Sequence, residues 1–181
     1  MGSLSPAGPA AADEAWARRH LLPGEDRLWV RMSGPDRRHA VGVARDAIAL
    51  LGPEEPPRAV VAAALLHDVG KLESGLGTFA RVGVTVAALA VGRERIVGGG
   101  GAAEAGDARE ARDLRGGRGP AARWAERARA YLTHDRIGAT LLRAAGADDL
   151  TAAWAEEHHL PEARWSIDRR IAAALKAADG D

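Results

Sequence analysis

Apolar residues recur at helical spacing along most of the chain. Between Ser33 and Gly52 they follow a period of about 3.6 residues, after a polar cap and a proline that favour a helix start. Similar patterns predict a second helix from Pro57 to Leu66, with Gly70 as a left-handed terminator. Further helices are predicted over 79–93, 124–132, 134–145, 149–158 and 166–178, although the valines in 82–91 also alternate as in a strand. Because the connections between the later helices are short, we expect an all-α fold, a compact helical bundle.

Two segments lack this periodicity. Residues 1–22 are rich in Ala, Pro and Gly and predict a flexible N-terminal tail before a domain over 23–181. Residues 98–120 contain a run of four glycines and a second glycine-rich stretch. This composition predicts a disordered, low-complexity loop insertion that interrupts the domain.

The amino-acid composition excludes several classes of partner and of chemistry. The 25 basic and 25 acidic residues balance, so we expect no nucleic-acid or membrane partner, and the mixed charges of 109–123 make nucleic-acid binding there a weak alternative. The chain has no cysteine, which excludes thiolate chemistry and is consistent with a cytoplasmic protein. The longest apolar stretch, 82–91, is too short to span a bilayer. The oligomeric state stays open.

The dipeptide His67-Asp68, at the end of an apolar helical run, carries the strongest chemical signal. Burying both groups without partners would cost several kcal/mol, which a bound cation would offset; a hydrogen-bonded core pair is the alternative. Other polar residues fall at or near predicted helix ends, where a bundle could bring them together. The candidate metal ligands are His39, His67, Asp68, His134, His158 and Asp179, with His159 as the alternative to His158.

The kind of ligand indicates the kind of metal. Imidazole and carboxylate groups without thiolates suit Mn, Fe, Co, Ni or Zn, whereas Mg prefers oxygen ligands. The number of candidates exceeds what one tetrahedral ion needs. One or two divalent transition-metal ions are therefore expected, with Asp68 able to bridge a pair.

The order of His39, His67-Asp68 and Asp179 resembles the signature of the HD superfamily of metal-dependent phosphohydrolases. The phrase from Leu65 to Lys71, Leu-Leu-His-Asp-Val-Gly-Lys, is similar to that family's most specific motif. The resemblance implies an HD-type bundle in which His39, His67, Asp68 and Asp179 hold a first metal, and Asp68, His134 and His158 a second. The sequence after His159 lacks the Gly-Tyr-Pro pattern of the cyclic-dinucleotide enzymes, so that substrate is not implied. No glutamate before His39 clearly provides an extra acidic ligand, and Glu25 is too distant in sequence to assign.

We therefore expect a phosphohydrolase that uses metal-activated water on a phosphate mono- or diester, a nucleotide by preference. Asp68 and Lys71 are the expected catalytic residues, with Lys71 contacting phosphate. Only two of the 25 basic residues are lysines, and each lies three positions from a candidate aspartate: Lys71 after Asp68 and Lys176 before Asp179. Lys176 could instead serve only as a partner of its helix dipole. The alternative function is a catalytically silent HD-fold binding or regulatory module.

Overall fold

The structure is a computed structural model that describes residues 7–74, 126–128 and 132–180. These residues form helices and connecting turns, without a β-strand among them, so the predicted all-α fold is confirmed. Contacts divide the chain into two units, one made of Met1–Leu72 with His134–Asp181 and the other of Glu73–Thr133. The predicted helix over 79–93 and the predicted insertion over 98–120 lie outside the described residues.

The described residues of the first unit form seven α-helices and two short 3-10 segments. The 3-10 segments are Val69–Ser74, which runs past the end of this unit, and Glu162–Arg164. The α-helices are α1 (Ala11–Arg19), α2 (Pro23–Trp29), α3 (Gly34–Leu51), α4 (Arg58–Leu66), α5 (His134–Ala144), α6 (Asp149–Glu157) and α7 (Arg169–Asp179). In the part of the chain that is described, no helix is long and apolar enough to cross a membrane.

Helix α4 lies at the centre of the packing. It contacts α2, α3 and α6, while α3 also packs on α7 and α6 on α5. Every residue from Val60 to Leu66 is buried, as expected for a helix that is apolar on all sides. The same hydrophobic core contains large buried side chains that each contribute about 1.5–3 kcal/mol of burial free energy, among them Trp29, Leu142, Trp154 and Leu175. This core fixes the position in which α4 ends, directly before His67.

Capping side chains set the helix boundaries. The Ser33 hydroxyl accepts a hydrogen bond from the Asp36 backbone N–H, and α3 ends before Gly52, which has a φ of 108°. Both boundaries confirm the sequence prediction. Helix α7 begins three residues later than predicted, because the Asp168 carboxylate caps it by accepting from the backbone N–H groups of Arg170 and Ile171.

The prediction of a flexible tail over 1–22 is wrong for residues 11–19. Residues 11–19 form helix α1, and Ala17 is completely buried. The Glu14 carboxylate accepts hydrogen bonds from the Trp29 indole at 2.9 Å and the Arg37 guanidinium at 2.8 Å, which ties α1 to α2 and α3. Composition could not reveal these contacts because they form only between residues that are distant in sequence.

Gly70 also differs from its predicted role. It has no positive φ and lies within a 3-10 segment, where an added Cβ would come within 1.8 Å of the His134 carbonyl oxygen. On the facing helix α5, a Cβ on Gly138 would lie 3.1 Å from the Gly70 nitrogen. The two glycines therefore allow a close backbone approach, which brings the segment after Asp68 against the start of α5.

We expect Gly70→Ala to lower the free energy of unfolding by more than about 2 kcal/mol, because the new methyl group collides with backbone that cannot move away. Gly42→Ala is the matched control. An added Cβ there meets no atom within 4 Å, so the higher helix propensity of alanine should stabilise the protein by about 0.5–1 kcal/mol. Urea unfolding followed by circular dichroism measures both; equal midpoints for the two variants would contradict the close approach.

Candidate metal centre

Six side chains that the sequence singled out meet at one place in the first unit. His39 lies near the start of α3, His67 and Asp68 directly follow α4, and His134 is the first residue of α5. The two remaining residues are His158, which directly follows α6, and Asp179, the last residue of α7. All six are brought together, although 140 positions separate His39 from Asp179.

The first ligand group consists of His39, His67 and Asp179. The Nε2 atoms of His39 and His67 lie 2.9 Å and 3.5 Å from the same Asp179 oxygen, Oδ1. Burial alone would raise the pKa of Asp179, but hydrogen bonds from these two imidazoles hold it below its usual range. Two imidazole nitrogens and a carboxylate oxygen thus converge within the reach of one ion.

The second ligand group consists of His134, His158 and His159. Each offers one ring nitrogen, and these nitrogens all lie within 4.8 Å of one another. The Nε2 atoms of His134 and His159 are 3.4 Å apart. Such a set of imidazoles is a typical environment for a transition-metal ion.

The Asp68 carboxylate lies between the two ligand groups. Its Oδ1 is 3.3 Å from His134 Nε2 and 3.9 Å from His158 Nε2. Its Oδ2 is 3.5 Å from His67 Nε2 and also accepts a hydrogen bond from the Lys71 ammonium group. One buried carboxylate therefore contacts members of both groups, as a bridging ligand would.

Backbone carbonyls orient the two most buried imidazoles. His67 Nδ1 lies 2.9 Å from the Ala64 carbonyl oxygen, and His158 Nδ1 lies 3.0 Å from that of Ala155. Because a carbonyl oxygen can only accept, Nδ1 donates in both cases and Nε2 faces the cluster. Metal-binding histidines are commonly held in this way.

His158 Nε2 provides a direct test of whether a cation fits. This atom is buried and has no hydrogen-bond partner in the described structure. An unsatisfied buried polar atom carries a desolvation cost of about 1–3 kcal/mol. A divalent ion that accepts its lone pair would remove that cost, so the residues present fit a metal.

Helix ends add to the electrostatic preference for a cation. Helices α4, α6 and α7 all terminate at the cluster, where His67, His158 and Asp179 stand at or beside their carboxyl ends. The carboxyl end of a helix carries a partial negative charge equivalent to about half an electron, which favours cations nearby. Three such ends therefore reinforce the charges of the two aspartates.

The protonation states differ sharply between neighbouring imidazoles. Burial would lower the pKa of His67, but the carboxylates of Asp68 and Asp179 outweigh it and raise the pKa to about 10. Burial and the charge of His67 lower the pKa of His158 to about 2. Burial would raise the pKa of Asp68, yet the His67 charge holds it well below its usual range. Without a divalent ion, His67 therefore carries a proton between two carboxylates, while His158 stays neutral.

The exposed fractions of the histidine side chains show which side of the candidate metal centre is open to solvent. His67 and His158 are 2% and 1% exposed and form its floor. The side chain of His39 is 49% exposed, although it lies only four residues before the buried Val43 on the same helix. His39 instead lies at the rim, where it reaches Asp179 while remaining accessible to solvent.

His159 is the ligand candidate that sequence reasoning left as an alternative. Adjacent helical residues point about 100° apart, so only one of His158 and His159 was expected to face inward. Helix α6 ends at Glu157, however, and the two histidines lie in the turn that follows. Their rings come within 3.9 Å of each other between centroids, and both contribute a nitrogen to the second ligand group.

Glu25 lies outside both ligand groups. It is fully buried, accepts a hydrogen bond from the Leu22 backbone N–H at 2.7 Å and forms a salt bridge with Arg58 at 2.8 Å. These contacts give it a structural role at the start of α2.

Comparisons with family models, with curated proteins and with solved structures found no match for this chain.

Metal binding at pH 8 should release about one proton per chain, because a metal ion must displace the proton held on His67. Calorimetric titration of Zn²⁺ into metal-free protein, repeated in buffers of different ionisation enthalpy, measures this number. An apparent enthalpy that is the same in every buffer would contradict the protonated state of His67.

The number of metal ions bound per chain should fall in variants that remove a side chain from either ligand group. We expect Asp68→Ala to lose nearly all bound metal, because both groups contact this carboxylate, and His158→Ala to lose mainly the ion of the second group. His20→Ala is the control, since His20 bonds to the Trp16 carbonyl and belongs to neither group. Elemental analysis after metal loading and desalting gives the ratios; equal metal content in all three variants would contradict the assignment.

Proposed function

We propose that this chain is a metal-dependent phosphohydrolase of the HD type, which hydrolyses a phosphate mono- or diester of a nucleotide. The observation that carries the proposal is the position of Asp68, whose two oxygens face members of two separate imidazole-rich groups. A carboxylate shared in this way is suited to holding two ions at the short separation used by enzymes that hydrolyse phosphate esters. The resemblance of His39, His67-Asp68 and Asp179 to the HD signature supports the same reaction class.

The donor set also supports a particular kind of metal. His39, His67, Asp68 and Asp179 would hold the first ion, and Asp68, His134 and His158 the second, with His159 as an additional ligand. Five imidazoles and two carboxylates favour Mn, Fe, Co, Ni or Zn over Mg. When bound, such ions supply a water of lowered pKa and polarise phosphoryl oxygens.

Lys71 brings a side-chain ammonium group to the candidate metal centre. Its ammonium group bonds to Asp68 Oδ2, and its side chain is 21% exposed, so it reaches both the buried carboxylate and the solvent side. A positive charge here would stabilise the negative charge that develops on the phosphoryl oxygens during hydrolysis. Lysine suits this role because its ammonium group is a compact charge on a flexible stem.

The proposal is tested by screening phosphate release from aryl phosphomonoesters, aryl phosphodiesters and nucleotides, with Mn²⁺, Co²⁺, Ni²⁺ and Zn²⁺ added separately. We expect turnover that requires one of these metals and falls by at least about a thousandfold in Asp68→Ala, which removes the shared ligand. Lys71→Ala should bind metal but lose roughly 10- to 100-fold in kcat/KM. Arg136→Ala, which removes an exposed cation from α5, is the control and should retain activity.

The same experiment separates the enzyme from its alternative. Stoichiometric metal binding without turnover of any substrate would favour a catalytically silent HD-fold binding or regulatory module. Absence of metal binding would remove the phosphohydrolase proposal altogether. Unchanged kcat/KM in Lys71→Ala would remove only the role given to Lys71.

A further inference from the structure

Lys176 is the second lysine of the chain, and the proposed reaction gives it no role. Arginine supplies 23 of the 25 basic residues, yet the two lysines fall three positions from Asp68 and three positions from Asp179. Lys71 forms an ion pair with its aspartate. The Lys176 ammonium group, by contrast, forms no hydrogen bond or salt bridge with any residue that the structure describes.

The position of Lys176 on α7 places it beside the first ligand group. Residues three apart on a helix are surface neighbours, with Cβ atoms about 5–6 Å apart, so Lys176 flanks Asp179 one turn earlier. Lys176 is partly exposed, whereas the Asp179 side chain is only 7% exposed. Lys176 thus lies, partly exposed, one helical turn before a buried candidate ligand.

The neighbouring surface of α3 is open at the same level. Helices α3 and α7 run antiparallel, because His39 meets Asp179 at one end and the Leu51 carbonyl accepts from Arg170 at the other. Lys176 is therefore about level with Gly42, three residues beyond His39. Gly42 is exposed, and a Cβ added there would meet no atom of the described structure within 4 Å.

We propose that Lys176 binds the phosphate group of the substrate on the exposed, His39 side of the centre, and so complements Lys71 beside Asp68. This inference rests on the proposed function, because it requires a phosphate bound at the metal centre. An ammonium group without a protein partner can donate charge-assisted hydrogen bonds to phosphate oxygens. Lys176 is thus a substrate-binding residue and contributes no ligand to the metal.

The test measures binding of inorganic phosphate to the Mn²⁺-loaded protein by calorimetry, which does not depend on turnover. We expect Lys176→Gln to keep its metal content and to weaken phosphate binding about tenfold, with Lys176→Arg within about threefold of the wild type, since it retains the charge. The matched control is Arg169→Gln, which removes one charge from the same helix about 15 Å from Asp179 and should change the affinity by less than about twofold.

Three other results of this experiment would each contradict a specific claim about Lys176 or the metal centre. Equal phosphate affinity in Lys176→Gln and the wild type, or an equal loss in Lys176→Gln and Arg169→Gln, would overturn direct contact by Lys176. Loss of metal from Lys176→Gln would show that it acts through Asp179 and would overturn the substrate role. If the metal-loaded wild type binds no phosphate, this inference fails, whereas the proposed function is decided separately by whether the metal-loaded protein turns over any of the screened phosphate esters.

Discussion

The structure depends on how the negative charge of Asp68 is accommodated in a buried site. This carboxylate is 6% exposed, and an isolated charge at that depth would be far too costly to keep. Imidazoles from two directions and the Lys71 ammonium group surround it. Without a metal, a proton on His67 supplies positive charge beside this carboxylate, because Asp68 and Asp179 raise the pKa of His67 to about 10. A divalent ion would replace that proton.

The helical architecture makes this arrangement available to residues far apart in sequence. The apolar helix α4 is fixed on three sides by its neighbours, so the residues at its end have little freedom. Helices α6 and α7 end at the same place, and the close approach of Gly70 and Gly138 brings α5 to meet Asp68. Three carboxyl helix ends at one point favour a cation there before any side chain is considered. The helix packing that builds the fold therefore also brings the candidate metal ligands together.

Much of this could be predicted from the sequence because it depends on local patterns. The periodicity of residues 33–52 and the cap at Ser33 define α3. The six residues that meet were identified because each lies at or near the end of a predicted helix, where a bundle could bring them together. Helix α1 was missed because its stability comes from Glu14 contacting Trp29 and Arg37, which no local pattern records. Gly70 was misassigned because a close backbone approach and a left-handed turn both select glycine. The contribution of His159 could not be predicted, since it depends on α6 ending one residue before His158.

The central claim, that these imidazoles and carboxylates share metal ions, is tested most directly by anomalous diffraction from crystals of Zn²⁺-loaded protein. We expect anomalous peaks on either side of Asp68, each about 2.0–2.2 Å from imidazole Nε2 and carboxylate oxygen atoms. Anomalous peaks found only elsewhere on the protein, with His158 Nε2 more than about 3 Å from any ion, would contradict it.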